Sequence, residues 1–487
     1  MICSHKLSVL AGALSILFLG GAGGLAFAAP IPEEPIVFEA GSGETVDAYR
    51  GFFEVPENRS DPSSRKIKIG YVRFPATGEK PGSPIVYLAG GPGGTGTGTA
   101  RGPRFPLFMA MRIFGDVIAF DQRGTGLSDD TPPCLSSVVI PDDRRLSKDE
   151  SIALLKQSVR ECDTFWRDQG VDLRGYTTVE SARDLDALRR HLGAEKLTLW
   201  GISYGTHLAL AAVKEMAPHI DKMVLASAEG LSQTVKLPAR TDAYFDRVQA
   251  AIDADPKAKA IYPDIKALMR RVHAQLDSEP VMLKLQTQDG GEADFLLHGD
   301  IMRIAASAMI SDPERAAMLL ELYSAADHGV YEPVAGLLAR FITPGEAESW
   351  RAMPLAMDVA SGISDDRLAL VEAQAKTALI GDYLNFPMPH LRGVPEGLDL
   401  GDAFRENPAS DIPTLLLSGT LDGRTYPESQ REALSGMSDL TVVTVVNAGH
   451  NLFMVSPEVS ETIKTFMRGE KVTKTEIGIA PPVFITE

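Results

Sequence analysis

An open, mostly parallel β-sheet covered by helices is the fold class this sequence predicts, and three observations carry the prediction. Short apolar runs recur at residues 85–88, 116–120, 197–200, 222–226, 414–418 and 441–446. They are rich in Val, Ile and Leu and bounded by Gly, Asp or Pro, as strands buried on both faces are. Helical patterns lie between them, which calls for parallel strands joined by crossover helices. The stretch from residue 231 to 397 breaks this alternation and reads as a mainly helical insertion between two strands of the sheet.

Taken in order, residues 1–28 carry one Lys, an apolar run from Leu7 to Leu19 and small residues with Ala26 and Ala28 spaced as A-x-A, the pattern of a cleaved signal peptide. An uncleaved anchor is the alternative, weakened by Gly20, Gly21, Gly23 and Gly24. No other apolar run approaches spanning length, so no stable membrane span is expected after cleavage, and the mature chain is expected in the periplasm or outside the cell. The segments 51–55 and 66–74 read as an antiparallel start to the sheet. Residues 181–192 place Leu185, Leu188 and Leu192 on one helical face, with Thr177 and Glu180 at capping-box spacing and Gly193 suited to the C-terminal cap. Inside the insertion, Ile301, Ile304, Ala305, Ala308 and Met309 form one apolar stripe, and Met318, Leu319, Leu322 and Tyr323 a second. Segments 281–285 and 293–297, around Gly290 and Gly291, read as a hairpin. The tail after Met467 is polar, then Pro-containing, and is expected to be loosely attached. The expected organisation is therefore a signal peptide at 1–28, core at 29–230, helical cap at 231–397, core again at 398–470 and a tail at 471–487.

Composition excludes several classes. Hydrophobic residues make up 44% and charged residues 23% of the 487, which is globular rather than disordered composition. A net charge of −17 argues against a nucleic-acid partner, which would need a basic surface. No C-x-x-C or H-E-x-x-H occurs, so neither a metal nor another cofactor is expected. Of the three cysteines, Cys3 leaves with the signal. Cys134 and Cys162 can pair in an oxidising compartment, or stay as two buried thiols.

The chemistry concentrates at strand ends. The run 197–200 leads into Gly201-Ile202-Ser203-Tyr204-Gly205 and then a helical run, 206–216. G-x-S-x-G alone is a weak signal. Between a strand and a helix it reads as a nucleophile on a sharp, strained turn. A Ser hydroxyl needs a base, and the base an orienting acid. Of nine His, only His450 follows the last strand; His207 lies one turn past Ser203, and the others fall in the signal, the insertion, a surface helix or the approach to a strand. Asp422 follows the strand before, whereas Asp411 and Asp439 precede strands and so fall at the wrong sheet edge. The run 85–88 ends in Ala89-Gly90-Gly91-Pro92-Gly93-Gly94. Gly91 N–H, with Tyr204 N–H, is the expected oxyanion donor. A phosphate cradle is the other use of such a loop, but the Lys of a P-loop is missing.

These residues resemble the α/β-hydrolase family of proline iminopeptidases and secreted tripeptidyl aminopeptidases. The likeness rests on the loop from Gly90, on Asp121-Gln122-Arg123-Gly124-Thr125-Gly126 with Ser128, on the turn around Ser203, and on Asp422 and Gly449-His450, and it spans roughly residues 51–468. Two positions depart: Ala89 stands where iminopeptidases carry His, and Tyr426 where the D-x-x-T-P loop has Pro. The resemblance implies an α/β-hydrolase fold, a Ser203-Asp422-His450 triad and an aminopeptidase acting on short peptides. It also matches the paired cysteines of exported members. It implies that Glu229, at the start of the insertion, holds the substrate's free amine; a hinge salt bridge is the alternative. Arg123 reads as a buried brace rather than a substrate contact. An esterase or amidase on small acyl substrates could use the same triad, and a catalytically silent binding module is disfavoured by the intact Ser, Asp and His. The sequence leaves oligomeric state open.

Overall fold

Among the described residues, ten strands pair edge to edge into one sheet in the computed structural model, which describes residues 32–128, 131–287 and 290–484. The expected signal peptide and Cys3 lie outside the described residues. In chain order the strands are β1 (Glu33–Glu39), β2 (Thr45–Pro56), β3 (Lys66–Phe74), β4 (Ile85–Leu88), β5 (Val117–Phe120), β6 (Cys134–Val139), β7 (Leu197–Ile202), β8 (Ile220–Ala226), β9 (Val281–Gln286), β10 (Glu292–Leu297), β11 (Ala347–Trp350), β12 (Thr414–Gly419), β13 (Leu440–Val446) and β14 (Glu476–Gly478). The sheet runs β1-β2-β3-β5-β4-β7-β8-β12-β13-β14. Pairing is antiparallel from β1 to β5 and parallel from β5 to β14.

Alternation along each strand builds a core on either face. Val86, Leu88, Ile118, Phe120 and Leu199 pack with Leu185, Leu188 and Leu208 on one side. Ile85, Tyr87, Val117, Ala119 and Trp200 pack with Phe105, Phe108 and Ile463 on the other. Burial on both faces is why these strands read as continuous apolar runs. The helix Thr178–His191 starts earlier than its leucine stripe, with Thr177 Oγ1 accepting Glu180 N–H at 3.4 Å. Only half of the capping box forms, because the Glu180 carboxylate accepts from Arg59 Nη1 at 2.6 Å instead.

Five elements depart from the sequence expectations. β1, β6 and β11 are not among the strands expected from the sequence: β1 holds only a three-residue apolar run, Ser136 and Ser137 interrupt β6, and β11 carries only Ala347 and Trp350 as apolar residues. The tail does not hang loose: β14 extends the sheet parallel to β13, and Ile477 is fully buried there. A three-residue strand carries no periodicity of its own, and its neighbour β13 supplies the pairing. In the insertion, the helix Gly299–Met309 buries Met302, Ala305, Ala306 and Met309, while Ile304 and Ala308 face solvent. The stripe is rotated because residues 301–310 are apolar nearly all round, so Met302 competes with Ile301 for the core. The 281–297 hairpin is present as β9 and β10.

The long segment between β8 and β12 is mostly helical and has its own core around Tyr244, Met269, Leu297, Leu320 and Tyr323. An antiparallel ribbon of β6 with β11 ties it to the sheet, pairing Cys134 with Trp350 and Val139 with Ala347. The ribbon is fastened to the helix Lys148–Asp168 by a Cys134–Cys162 disulfide with Cα atoms 5.6 Å apart, and by Trp350 Nε1–H donating to Ser158 Oγ at 2.8 Å. No helix among the described residues is long and apolar enough to cross a membrane.

The loop after β5 is a buried polar brace. Arg123 is 0% exposed, donates to both Asp184 carboxylate oxygens at 2.7 Å, and caps the carbonyls of Glu57 and Gly175. Asp121 accepts from Thr97 N–H, Thr97 Oγ1–H and Leu127 N–H at 2.6 to 2.9 Å. These contacts set the floor beside β4, so a change here is read as stability. Arg123→Met leaves Asp184 buried with Arg59 as its one remaining cationic partner among the described residues. Denaturant unfolding should show a loss of about 3–5 kcal/mol, the usual consequence of breaking a buried pair from one side; a loss below about 1 kcal/mol would show that Arg123 is dispensable to the fold.

Candidate active site

β7 ends on a turn that only its flanking glycines allow. A Cβ on Gly201 would sit 2.8 Å from Gly205 O, and one on Gly205 would overlap Leu88 O at the end of β4. Ser203 between them has φ 55° and ψ −129°, a region that non-glycine residues occupy only under constraint. Its N–H bonds Ala226 O of β8 at 3.2 Å, and the helix Tyr204–Met216 starts at the next residue. The hydroxyl is thereby held at the carboxyl edge of the sheet, where open α/β sheets collect ligands.

Asp422 and His450 meet at the same edge, in the turns after β12 and β13. His450 Nδ1 donates to Asp422 Oδ2 at 3.0 Å and Oδ1 at 3.1 Å. Asp422 is fully buried and also accepts from Arg424 N–H at 2.8 Å, Thr425 N–H at 2.9 Å and Thr425 Oγ1–H at 2.8 Å. Burial alone would push its carboxyl up; the His450 charge and these hydrogen bonds outweigh that and hold it below the usual carboxylate range. The insertion fixes the His450 backbone: its N–H bonds Ser311 O at 2.8 Å and Asp312 Oδ1 at 3.0 Å. A Cβ on Gly449 would press within 2.7 Å of Asp312 Cα, which accounts for the glycine before the histidine. Among the described residues, Ser203 Oγ makes no hydrogen bond, and a nucleophile–base bond often tightens only around substrate.

The expected oxyanion donors lie alongside. Gly90 packs against Ser203, and the N–H groups of Gly91 and Tyr204 make no hydrogen bond among the described residues. Over them passes the insertion helix Ala352–Ser361: Pro354 covers Gly93 and Met353 covers Gly124. His207 is structural, bridging Gly230 O and Ser361 Oγ at 3.2 Å each.

Of the two roles expected for Glu229, a hold on a substrate amine or a hinge salt bridge, the structure contains the salt bridge. Its carboxylate accepts Lys236 Nζ–H at 2.6 Å, and the same ammonium donates to Gln233 O at 2.7 Å. Burial pushes Glu229 up, but the Lys236 charge wins and keeps it below the usual range. An internal ammonium thus occupies the place expected for the substrate's. The sequence reading missed Asp358, on the insertion helix opposite. It is half-buried, and its carboxyl makes no hydrogen bond or ion pair among the described residues. Burial, then the Glu229 charge, push it up to about 7, against the pull of Lys236 and Arg424. A lone Asp on an otherwise apolar stretch, Ala352-Met353-Pro354-Leu355-Ala356-Met357-Asp358-Val359-Ala360, was the available signal.

Comparison with known proteins agrees with this architecture. A family model described as alpha/beta hydrolase fold matches residues 115–294, which include Ser203, and one described as TAP-like protein matches residues 401–477, which include Asp422 and His450. Serine protease Hip1 of Mycobacterium tuberculosis is 32% identical over 190 residues, covering 37% of this chain and 36% of that protein. Tripeptidyl aminopeptidase of Streptomyces coelicolor is 29% identical over 220 residues, covering 42% of this chain and 38% of that protein. The matched region therefore spans little more than a third of the length of these curated relatives. With the sheet topology, the turn at Ser203 and both partial matches in place, the chain has the α/β-hydrolase fold, and its second core segment is similar to TAP-like proteins.

Proposed function

We propose that this chain is an exported serine hydrolase that cleaves short peptides from a free N-terminus. Ser203 attacks the carbonyl, His450 takes its proton and passes it to the leaving amine, and Asp422 orients the imidazole. Gly91 and Tyr204 N–H groups receive the oxyanion, and water then hydrolyses the acyl-enzyme at Ser203. The observation that carries the reading is the buried Asp422–His450 pair at the sheet edge of the Ser203 elbow, under a roof formed by the insertion. A roofed site favours chain ends over mid-chain cuts. Export is supported by the pattern of residues 1–28 and by the Cys134–Cys162 bond.

The free amine finds its acceptor in Asp358, since Glu229 is taken by Lys236. The test compares kcat/KM for a tripeptidyl anilide, its N-acetyl analogue and a short acyl ester. The free-amine substrate should lead its acetylated analogue at least tenfold. A charge-assisted contact of roughly 1.5–3 kcal/mol sets that scale, and Asp358→Asn should reduce the ratio toward one. The pH dependence has a definite sign: Asp358 is neutral below about 7 and ionised above it, so KM for the free-amine substrate should fall as pH rises through about 7. It should rise again once the substrate amine loses its proton, and the first limb should vanish in Asp358→Asn. Equal rates on free and acetylated peptides would remove the aminopeptidase reading, and a preference for the ester would replace it with an esterase on the same triad.

A further inference from the structure

The turn after β12 carries a second charged group that the hydrolytic machinery does not use. Arg424 lies two residues beyond Asp422, and its backbone is pinned by its N–H bond to Asp422 Oδ1 and by the packing of Gly423 against Ile310 O. Its guanidinium is half-buried and donates through Nη1 to Ser307 O at 3.1 Å. The remaining side-chain donors make no hydrogen bond, and no carboxylate lies within ion-pair distance, among the described residues. A half-buried guanidinium with donors to spare is a ready carboxylate receptor, because its planar fork matches two carboxylate oxygens.

The other charges around it sharpen this. Glu229 and Lys236 neutralise each other at 2.6 Å. Arg424 is close enough to that pair and to Asp358 for its charge to be felt by all three. Among the described residues, Asp358 and Arg424 have no ion-pair partner, nor does Arg367, whose guanidinium instead donates to Val235 O, so the group is not simply acidic. Its complement is a molecule with one ammonium and one carboxylate. The two ends are also distinguishable. In the proposed reaction His450 passes its proton to the leaving amine, and Arg424 stands on the turn after β12, two residues from the Asp422 that pairs with His450. Asp358 stands on the insertion helix that roofs the oxyanion loop.

We propose that Arg424 binds the free carboxylate of the leaving fragment, so that the preferred substrates are short zwitterionic peptides whose C-terminus lies close to the scissile bond. This rests on the peptidase reading above and narrows it to a substrate class. The experiment pairs a short peptide free at both ends with its C-terminal amide. The wild-type enzyme should favour the free acid by roughly tenfold to a hundredfold in kcat/KM, expressed mainly in KM. Arg424→Gln should bring the ratio near one, and Arg424→Lys should restore part of it. A role confined to propping the Asp422 loop would lower both substrates together and leave the ratio intact, which would overturn the proposal. A wild-type ratio near one would do the same. A second readout does not depend on peptide cleavage. Inhibition of a neutral ester's hydrolysis by the free amino acid product should exceed inhibition by its amide at least tenfold in the wild type and not in Arg424→Gln. Preferential inhibition without any peptide hydrolysis would keep Arg424 as a carboxylate receptor and remove the peptidase reading; the absence of both would remove Arg424.

Discussion

Ser203→Ala should lower kcat by about five to six orders of magnitude while the protein stays folded, since loss of a triad nucleophile leaves only binding and oxyanion terms. The fold is insulated from the change. Ser203 Oγ makes no hydrogen bond among the described residues, and the strained turn is held by close packing at Gly201 and Gly205 and by the N–H bond to Ala226 O. Alanine inherits the same backbone and the same strain. A fluorophosphonate should label the wild-type chain once, at Ser203, and should not label the variant. Labelling that persists in Ser203→Ala would move the nucleophile elsewhere and dissolve the triad assignment.

That site was legible because its parts are dictated by backbone geometry. Gly201, Gly205 and Gly449 stand where no side chain fits, and each leaves a mark in the sequence that survives without knowledge of its distant neighbours. Ser203, Asp422 and His450 each follow a strand whose apolar run announces it, and the structure brings these three strand ends to one edge of the sheet. The sheet itself was legible for the same reason, since strands buried on both faces cannot hide among polar residues. What escaped is what depends on contacts across the chain. Ser136 bonds Glu348 O over 212 positions, and neither β6, interrupted by Ser136 and Ser137, nor β11 has a continuous apolar run to declare it. The sequence leaves Glu229 between a substrate amine and a hinge salt bridge, because its partner, Lys236, lies beyond an irregular loop whose path no periodicity fixes. Asp358 and Arg424 lie on separate elements, the helix Ala352–Ser361 and the turn after β12, and only the folded chain lets the charge of one act on the other. The charge balance around Glu229, Asp358 and Arg424 is thus a tertiary property, whereas the proposed triad is close to a local one.

Asp422→Asn should cost about 10⁴-fold in kcat, and the hydrogen bonds around Asp422 say why. Oδ1 accepts two backbone N–H groups, from Arg424 and Thr425. Those donors cannot turn away, so the amide oxygen of an introduced Asn must take the Oδ1 place, which puts its NH₂ where Oδ2 now faces His450 Nδ1, Thr425 Oγ1 and, at 3.3 Å, Gln430 Nε2. Thr425 can rotate its hydroxyl to accept. The histidine can comply only by giving up its Nδ1 proton and accepting there, which leaves the remaining proton on Nε2, the nitrogen that must take the proton from Ser203. The base is then present, correctly placed and in the wrong tautomer. The two side chains are nearly isosteric, so unfolding free energy should change by no more than about 2 kcal/mol, which separates this loss from misfolding. Fluorophosphonate labelling of Ser203 should slow in parallel with turnover, because both need the same proton removed. Asp411→Asn and Asp439→Asn, at the opposite edge of the sheet, should leave turnover within about twofold. If Asp422→Asn keeps more than a tenth of wild-type kcat, the Asp422 carboxylate does not set the tautomer of His450, and the acid of this site must be sought elsewhere.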